Sequence, residues 1–336
     1  MRRAREIFTF LTEAAKRGER TALVTITDVI GGSSRAPGMH MAVSETGSSR
    51  GSLSGGCVEA AVVGEAVRVI AQGRAEKIRF GAGSRFLDIR LPCGGGIDVV
   101  VTPDPPEDVI LRANQALTDR TAAALELDVD GKLILGDPSA ARTGWRAGTF
   151  TSLHQPDLRL FVIGHGAETV AMAGLAASYG AELMVLTPDG SIAERIRSSG
   201  QRVAVLNTPS KTSQLTGDEY SAVVMLFHDH DWEPELLRQA LAQPHFYVGA
   251  MGSRGTHAIR LERLRELGVR ECALERLTGP IGFIPAVRDP DTLALSVLGQ
   301  IVAIYEALLV EREVALGNGE KRLQRQQGYK AAVSRP

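Results

Sequence analysis

The run Leu160-Phe161-Val162-Ile163-Gly164-His165-Gly166-Ala167-Glu168 decides the fold of the second half of this chain. Four apolar residues bounded by a glycine turn read as a strand buried on both faces. The following stretch, Thr169 to Tyr179, is alanine-rich and reads as a helix that Gly180 ends. Glu182 to Leu186 is a second strand. Strand, glycine turn, helix and strand make a β-α-β unit of about 30 residues, the opening of a doubly wound parallel sheet. Further strands are expected at 203–206, 222–227 and 246–248, with helices at 191–199, 233–242, 256–267 and a strongly apolar one at 291–309.

The fingerprint of a dinucleotide site is incomplete. Thr169 stands at the third glycine position. At the end of the second strand, where an acidic side chain would hold a ribose hydroxyl, the residue is Thr187, and Asp189 follows two later. The pattern supports the fold and argues against NAD(P) as the ligand. Two more motifs fall at the same expected edge: His228-Asp229-His230-Asp231 and Gly249-Ala250-Met251-Gly252-Ser253-Arg254. The first could offer imidazole and carboxylate groups or be a solvated loop. The second suits a phosphate through its glycines and Arg254 or is a tight turn with a surface arginine. Candidate residues of this crevice are Gly164, His165, Gly166, His228, Gly252, Ser253 and Arg254.

The first half has another character. Residues 3–17 read as an amphipathic helix, and short strands are expected at 21–29, 39–43, 50–53, 78–80, 87–91 and 97–101. Helices are expected at 58–71 and 107–118, and a hairpin over 121–135 turns at Asp130-Gly131. These elements predict an N-terminal α/β domain with a mixed sheet over residues 1–136. A linker of 137–157, a Rossmann-like domain of 158–310 and a polar, basic tail of 311–336 follow.

Two of the three cysteines lie against glycines, in Gly51-Ser52-Leu53-Ser54-Gly55-Gly56-Cys57-Val58-Glu59 and Pro92-Cys93-Gly94-Gly95-Gly96. Glycines let backbone N–H groups approach a ligand closely. A helix starting after Cys57 would favour an anion and a thiolate there. Ser52, Ser54, Gly55, Gly56, Cys57, Cys93, Gly94 and Gly95 are therefore candidate ligand-site residues. Both thiols could equally be small buried side chains. Cys272, in a polar stretch, has no such context.

The formal net charge is −1, and aromatic residues make up 5% of the chain, which gives no basis for nucleic-acid binding. Three cysteines are too few and too odd in number for a disulfide scaffold, and fit a reducing cytoplasm. The basic N-terminus lacks the apolar core of a signal peptide, and no stretch is expected to span a membrane. The apolar last helix offers a surface for a homodimer.

Together the motifs resemble the XdhC/CoxI family of molybdenum-enzyme maturation factors. The resemblance rests on the two glycine–cysteine runs, on Ser33-Ser34-Arg35-Ala36-Pro37-Gly38, on the Gly164 turn, on the His228 region and on the 249–254 turn. Ile281-Gly282 and Ala286-Val287-Arg288-Asp289-Pro290 extend it, so that it covers about 5–310. It implies a chaperone, rather than a turnover enzyme, that binds the molybdenum cofactor. Such a protein supports sulfuration by a cysteine desulfurase and passes the cofactor to a xanthine-dehydrogenase-type enzyme. Cys57 and Cys93 would then ligate molybdenum or carry sulfur, and the residues do not choose between these roles and simple packing. Molybdopterin's phosphate suits glycine loops, and its molybdenum suits soft thiolate ligands. A nicotinamide-dependent oxidoreductase and a docking module without a cofactor are the other readings.

Overall fold

A computed structural model describes residues 4–31, 35–56, 58–86, 91, 94–210, 212–228 and 231–315. The chain divides into two compact units at Pro156/Asp157.

The first unit contains α1 (Ala4–Lys16), β1 (Thr21–Ile30), β2 (His40–Ser44), β3 (Ser49–Gly51), α2 (Glu59–Gln72), β4 (Glu76–Gly81), β5 (Gly96–Pro103) and α3 (Glu107–Thr118). It continues with β6 (Ala123–Asp128), β7 (Leu133–Gly136), β8 (Gly144–Arg146) and β9 (Thr149–His154). One sheet has the order β3-β2-β1-β5-β4 and a second the order β7-β6-β9-β8. The expected α/β character holds, with every neighbouring pair antiparallel.

Alternation along the strands divides the first sheet between two cores. Ala22, Val24, Ile26, Met41, Val43, Val99 and Val101 pack with Val62, Ala66, Val69 and Ile70 of α2. Leu23, Ala42 and Val100 point the other way, onto Ile7, Phe8 and Leu11 of α1 and Val109, Ile110, Ala113 and Leu117 of α3. A two-residue repeat places successive side chains on opposite faces, and both faces are covered here.

The stretch 137–157, expected to be a linker, instead carries β8 and β9, which complete the second sheet. The strand expected at 87–91 lies largely outside the described residues, and Leu91 itself is not in a strand.

The second unit contains β10 (Arg159–Gly164), α4 (Ala167–Tyr179), β11 (Glu182–Thr187), α5 (Gly190–Ser198), β12 (Val203–Val205) and β13 (Ser221–Leu226). After these come α6 (Glu233–Leu241), β14 (Tyr247–Ala250), α7 (Arg254–Glu266), α8 (Glu271–Leu274), β15 (Leu277–Thr278) and α9 (Pro290–Ala315). The sheet is parallel, in the order β12-β11-β10-β13-β14-β15. The chain runs outward from β10 to β12 and then returns to the other side, so the topological switch point lies between β10 and β13. Open α/β sheets bind ligands outside the carboxyl ends of the strands at this place.

Leu160, Val162, Val185 and Val224 pack with α4 and α9, while Phe161, Ile163, Val223 and Met225 pack with α6 and α7. The helix α9 extends past the expected end at residue 309. It is also long and apolar enough to cross a membrane, contrary to the sequence expectation. Its Ala294, Val297, Leu298, Ile301 and Tyr305 are buried in the core of the second unit.

Candidate functional site

In the first unit, strand directions bring the two glycine–cysteine motifs to one end of the first sheet. β3 runs parallel to β1 because both are antiparallel to β2. The loop leaving β3 at Gly51 and the segment entering β5 at Gly96 therefore lie at the end where β1 finishes. They also rest on one core, since Leu53 and Val58 flanking the first glycine pair and Leu91 before the second share a cluster with Ile97 and Phe80. Gly95 approaches the end of β1 closely, and a Cβ built on Gly31 would lie 3.4 Å from its Cα. The peptide oxygen of Gly95 accepts from Ala82 N–H at 2.9 Å. Cys57 and Cys93 themselves lie outside the described residues.

Backbone conformation explains the glycines. Gly55, Gly56 and Gly94 have φ of 82°, 115° and 69°, the left-handed region that other residues resist. Among the described residues, a Cβ on any of the three would meet nothing within 4 Å, so no described residue covers these faces.

The loop amides are not vacant, as the sequence reading assumed. Glu59, the first residue of α2, turns its carboxylate back into the loop. Its Oε1 accepts from Ser54 N–H at 2.9 Å and Gly55 N–H at 3.0 Å, and its Oε2 from Gly56 N–H at 2.8 Å. Burial alone would push this carboxyl up, but the Ser52 and Ser54 hydroxyls and the loop amide outweigh that and hold it at about 2. The loop amides ahead of α2 are thus satisfied by an internal carboxylate through charge-assisted bonds. Glu59 stands within the quoted motif, and its position in the first helical turn after two serines was the signal that could have assigned it this role.

The crevice of the second unit gathers at the switch point. A Cβ on Gly164 would come within 2.5 Å of the Leu226 carbonyl oxygen and 2.9 Å of Thr169 Oγ1. Only glycine lets β10 run this close to β13. Gly166, with φ 97°, leads into α4. His165 lies over Phe227 with ring centres 5.3 Å apart and faces His228 at 6.3 Å. Nε2 of His228 is 3.3 Å from Oε1 of Glu168 in the first turn of α4. The turn therefore carries its own carboxylate, in contrast to one that only donates N–H groups to a phosphate.

At β11, Thr187 is buried, and Asp189 caps α5 by accepting from Ser191 N–H at 2.8 Å and Ile192 N–H at 3.2 Å. The Ser191 hydroxyl and these amides hold the Asp189 carboxyl below its ordinary range. Asp189, near the ribose position, is thus engaged locally.

The turn after β14 lies two strands from β10, roughly 10 Å across the sheet. Ser253 Oγ accepts from Thr256 N–H at 3.1 Å, and Arg254 is exposed at the start of α7. Beneath it, Arg260 donates to the Met251 carbonyl at 2.6 Å and pairs with Glu233 at 3.0 Å, both side chains being almost fully buried. This pair was not anticipated, because its members lie 27 residues apart on separate helices.

Among the described residues no group of three or more histidine, cysteine, aspartate or glutamate side chains could hold a metal ion. Asp229 and His230 of the histidine motif lie outside those residues, and Cys272 is exposed on α8.

Comparison with known proteins places these features in a family. Residues 160–301 match the XdhC Rossmann domain, and residues 14–81 match the XdhC and CoxI family. The chain is 35% identical over 300 residues to the molybdenum cofactor insertion chaperone PaoD of Escherichia coli (strain K12), covering 89% of this chain and 88% of that protein. It is 28% identical over 181 residues to the uncharacterized protein YqeB of the same organism, which is half of this chain and 31% of YqeB. Its fold is similar to that of a Bacillus halodurans protein described as a xanthine dehydrogenase. The TM-score is 0.71 at 20% identity, covering 89% of this chain and 96% of that one. A glycine–cysteine domain followed by a switch-point Rossmann domain, and a near full-length relative, lead to one conclusion: the chain belongs to the XdhC and CoxI family.

Proposed function

We propose that this protein is a molybdenum cofactor chaperone, which holds the cofactor and delivers it to a molybdoenzyme. The observation that carries the reading is the 35% identity to PaoD, the Escherichia coli molybdenum cofactor insertion chaperone, over 89% of this chain. The donor set fits such a ligand. The two cysteine-bearing segments leave one sheet end, and thiolates are the soft ligands that a dithiolene-bound metal tolerates. A Cβ on Gly55, Gly56 or Gly94 would meet none of the described residues within 4 Å, which is the room such a ligand needs.

On this reading Cys57 and Cys93 hold the cofactor beside Gly55, Gly56, Gly94 and Gly95, while Ser52 and Ser54 are engaged by Glu59. When bound, the cofactor supplies the redox-active molybdenum that the client enzyme needs. The chain's own task is to hold it and release it. Sulfuration with a cysteine desulfurase, a xanthine-dehydrogenase-type client and a cytoplasmic setting are parts of the same proposal. So is the second unit's crevice, with Gly164, His165, Gly166, His228, Gly252, Ser253 and Arg254, as a second contact for cofactor or client. We do not propose NAD(P) as its ligand, because Glu168 puts a carboxylate at the phosphate turn, where a dinucleotide needs donors, and Asp189, near the ribose position, is engaged in capping α5.

The test is delivery. Cofactor-loaded protein, mixed with an apo-molybdoenzyme beside an equal amount of free cofactor, is expected to reconstitute activity faster and to a higher final level. Equal rates and yields would overturn the chaperone reading.

A further inference from the structure

The first-unit loop has the form of an anion site whose anion is already present. Oε1 of Glu59 accepts from the Ser52 hydroxyl at 2.6 Å and from the amides of Leu53 at 3.1 Å, Ser54 at 2.9 Å and Gly55 at 3.0 Å. Oε2 accepts from the Ser54 hydroxyl at 2.6 Å and the amides of Gly56 at 2.8 Å and Val58 at 3.2 Å. Seven donors thus converge on one carboxylate. Successive left-handed glycines turn neighbouring amides to the same side, the geometry of a backbone anion nest. Ser52 Oγ also accepts from Gly55 N–H at 3.0 Å, and Ser54 Oγ from Val58 N–H at 3.0 Å, which ties the serines into the same cage.

We propose that Glu59 is a positioning residue, a covalently attached anion that shapes the Ser52–Val58 loop and keeps its amides from the cofactor's phosphate. The inference rests on the reading of this loop as part of the cofactor site. It divides the labour of the motif. The serines and amides bind Glu59, the open faces of Gly55 and Gly56 leave space, and a phosphate must be held by other groups.

An internal anion can be replaced by an external one, and a merely structural side chain cannot. Glu59→Ala empties the cage, and acetate fits the vacated carboxylate position. Glu59→Gln fills the cage with an amide whose NH2 faces donors, and leaves no room for acetate. The unfolding midpoint of Glu59→Ala is expected to fall by about 5 °C and to recover by at least half as acetate is added, with chloride at equal ionic strength giving no recovery. Glu59→Gln is expected to fall similarly and to ignore acetate. Molybdenum retained after gel filtration should follow the same pattern.

A Glu59→Ala protein that keeps the wild-type midpoint, or that falls without responding to acetate, overturns the inference. If Glu59→Ala is not recovered folded, Glu59→Gln decides alone, and wild-type midpoint and retention in that variant overturn the inference. Acetate recovery of the midpoint in a protein that never retains molybdenum supports the internal anion and sinks the cofactor reading instead.

Discussion

Glu168 and His228 meet across the switch-point crevice, with Nε2 of the histidine 3.3 Å from Oε1 of the glutamate. The carboxylate belongs to the first turn of α4, and its other oxygen lies 3.0 Å from where a Cβ on Gly166 would stand. A negative side chain thus lies over the turn that a dinucleotide-binding sheet keeps for a pyrophosphate. Addition of NADH, followed by nicotinamide fluorescence, is accordingly expected to give no saturable signal. Binding at micromolar concentration would contradict this electrostatic argument.

Gly164 and Gly174 make a matched pair. Gly164→Ala would force a Cβ to 2.5 Å from the Leu226 carbonyl, a backbone atom that cannot move aside without parting β10 from β13. The expected loss is about 1–3 kcal/mol of stability. Gly174 is exposed inside α4, with none of the described residues within 4 Å of a built Cβ. Gly174→Ala is expected to gain about 0.5–1 kcal/mol. Chemical denaturation of both variants checks the pair, and shifts of the same sign would contradict it.

Arg260 and Glu233 form a buried pair beneath the 251–253 turn. Arg260→Met leaves the Glu233 carboxylate buried without its partner, at an expected cost of about 3–5 kcal/mol. Replacing both, as Arg260→Met with Glu233→Leu, should recover most of that loss. A double-mutant cycle by denaturant unfolding measures it, and additive losses would show that the two side chains do not act as a pair.

His40 and His154 face one another in the core of the first unit, Nε2 to Nε2 at 3.1 Å, with Thr25 Oγ1 2.9 Å from Nδ1 of His40. Burial pushes His40 down to about 3 and His154 well below its ordinary value, where the neighbouring His40 adds to the effect. Both rings are neutral in the folded protein. Below the ordinary histidine value of 6.5 the unfolded chain takes up protons that the folded pair refuses. Their contribution to stability is therefore intact above that pH and falls as pH is lowered toward 3, by about 1.4 kcal/mol per ring and pH unit. Denaturant unfolding at about pH 7.5 and about pH 5.5 should show the loss. In the folded state, the two imidazole NMR signals should not titrate over this range, and a titration near 6.5 would contradict the buried pair.

The parallel sheet was legible because β10, β11 and β13 are continuous apolar runs and their glycine turns mark the carboxyl edge. In the second sheet of the first unit the β6–β7 hairpin was legible from its Asp130-Gly131 turn, but β8 and β9 were not. In β9 the side chains of Phe150, Ser152 and His154 are all buried, so polar residues occupy core positions and the alternation is hidden. Their partners are distant, since His154 bonds to His40 across 114 positions, and no local window reveals such a pair. In the glycine–cysteine loop, sequence showed that amides would converge. It did not show which anion they meet, since a nest for an external phosphate and one for Glu59 have the same glycines.

The central claim is that the glycine-flanked cysteines hold the molybdenum cofactor, and the most direct measurement is the molybdenum-to-protein ratio after incubation with cofactor and gel filtration. We expect wild type to retain molybdenum, and Cys57→Ala and Cys93→Ala each to lose most of it while keeping the wild-type unfolding midpoint. Equal retention in all three proteins, or none in the wild type, would contradict the account.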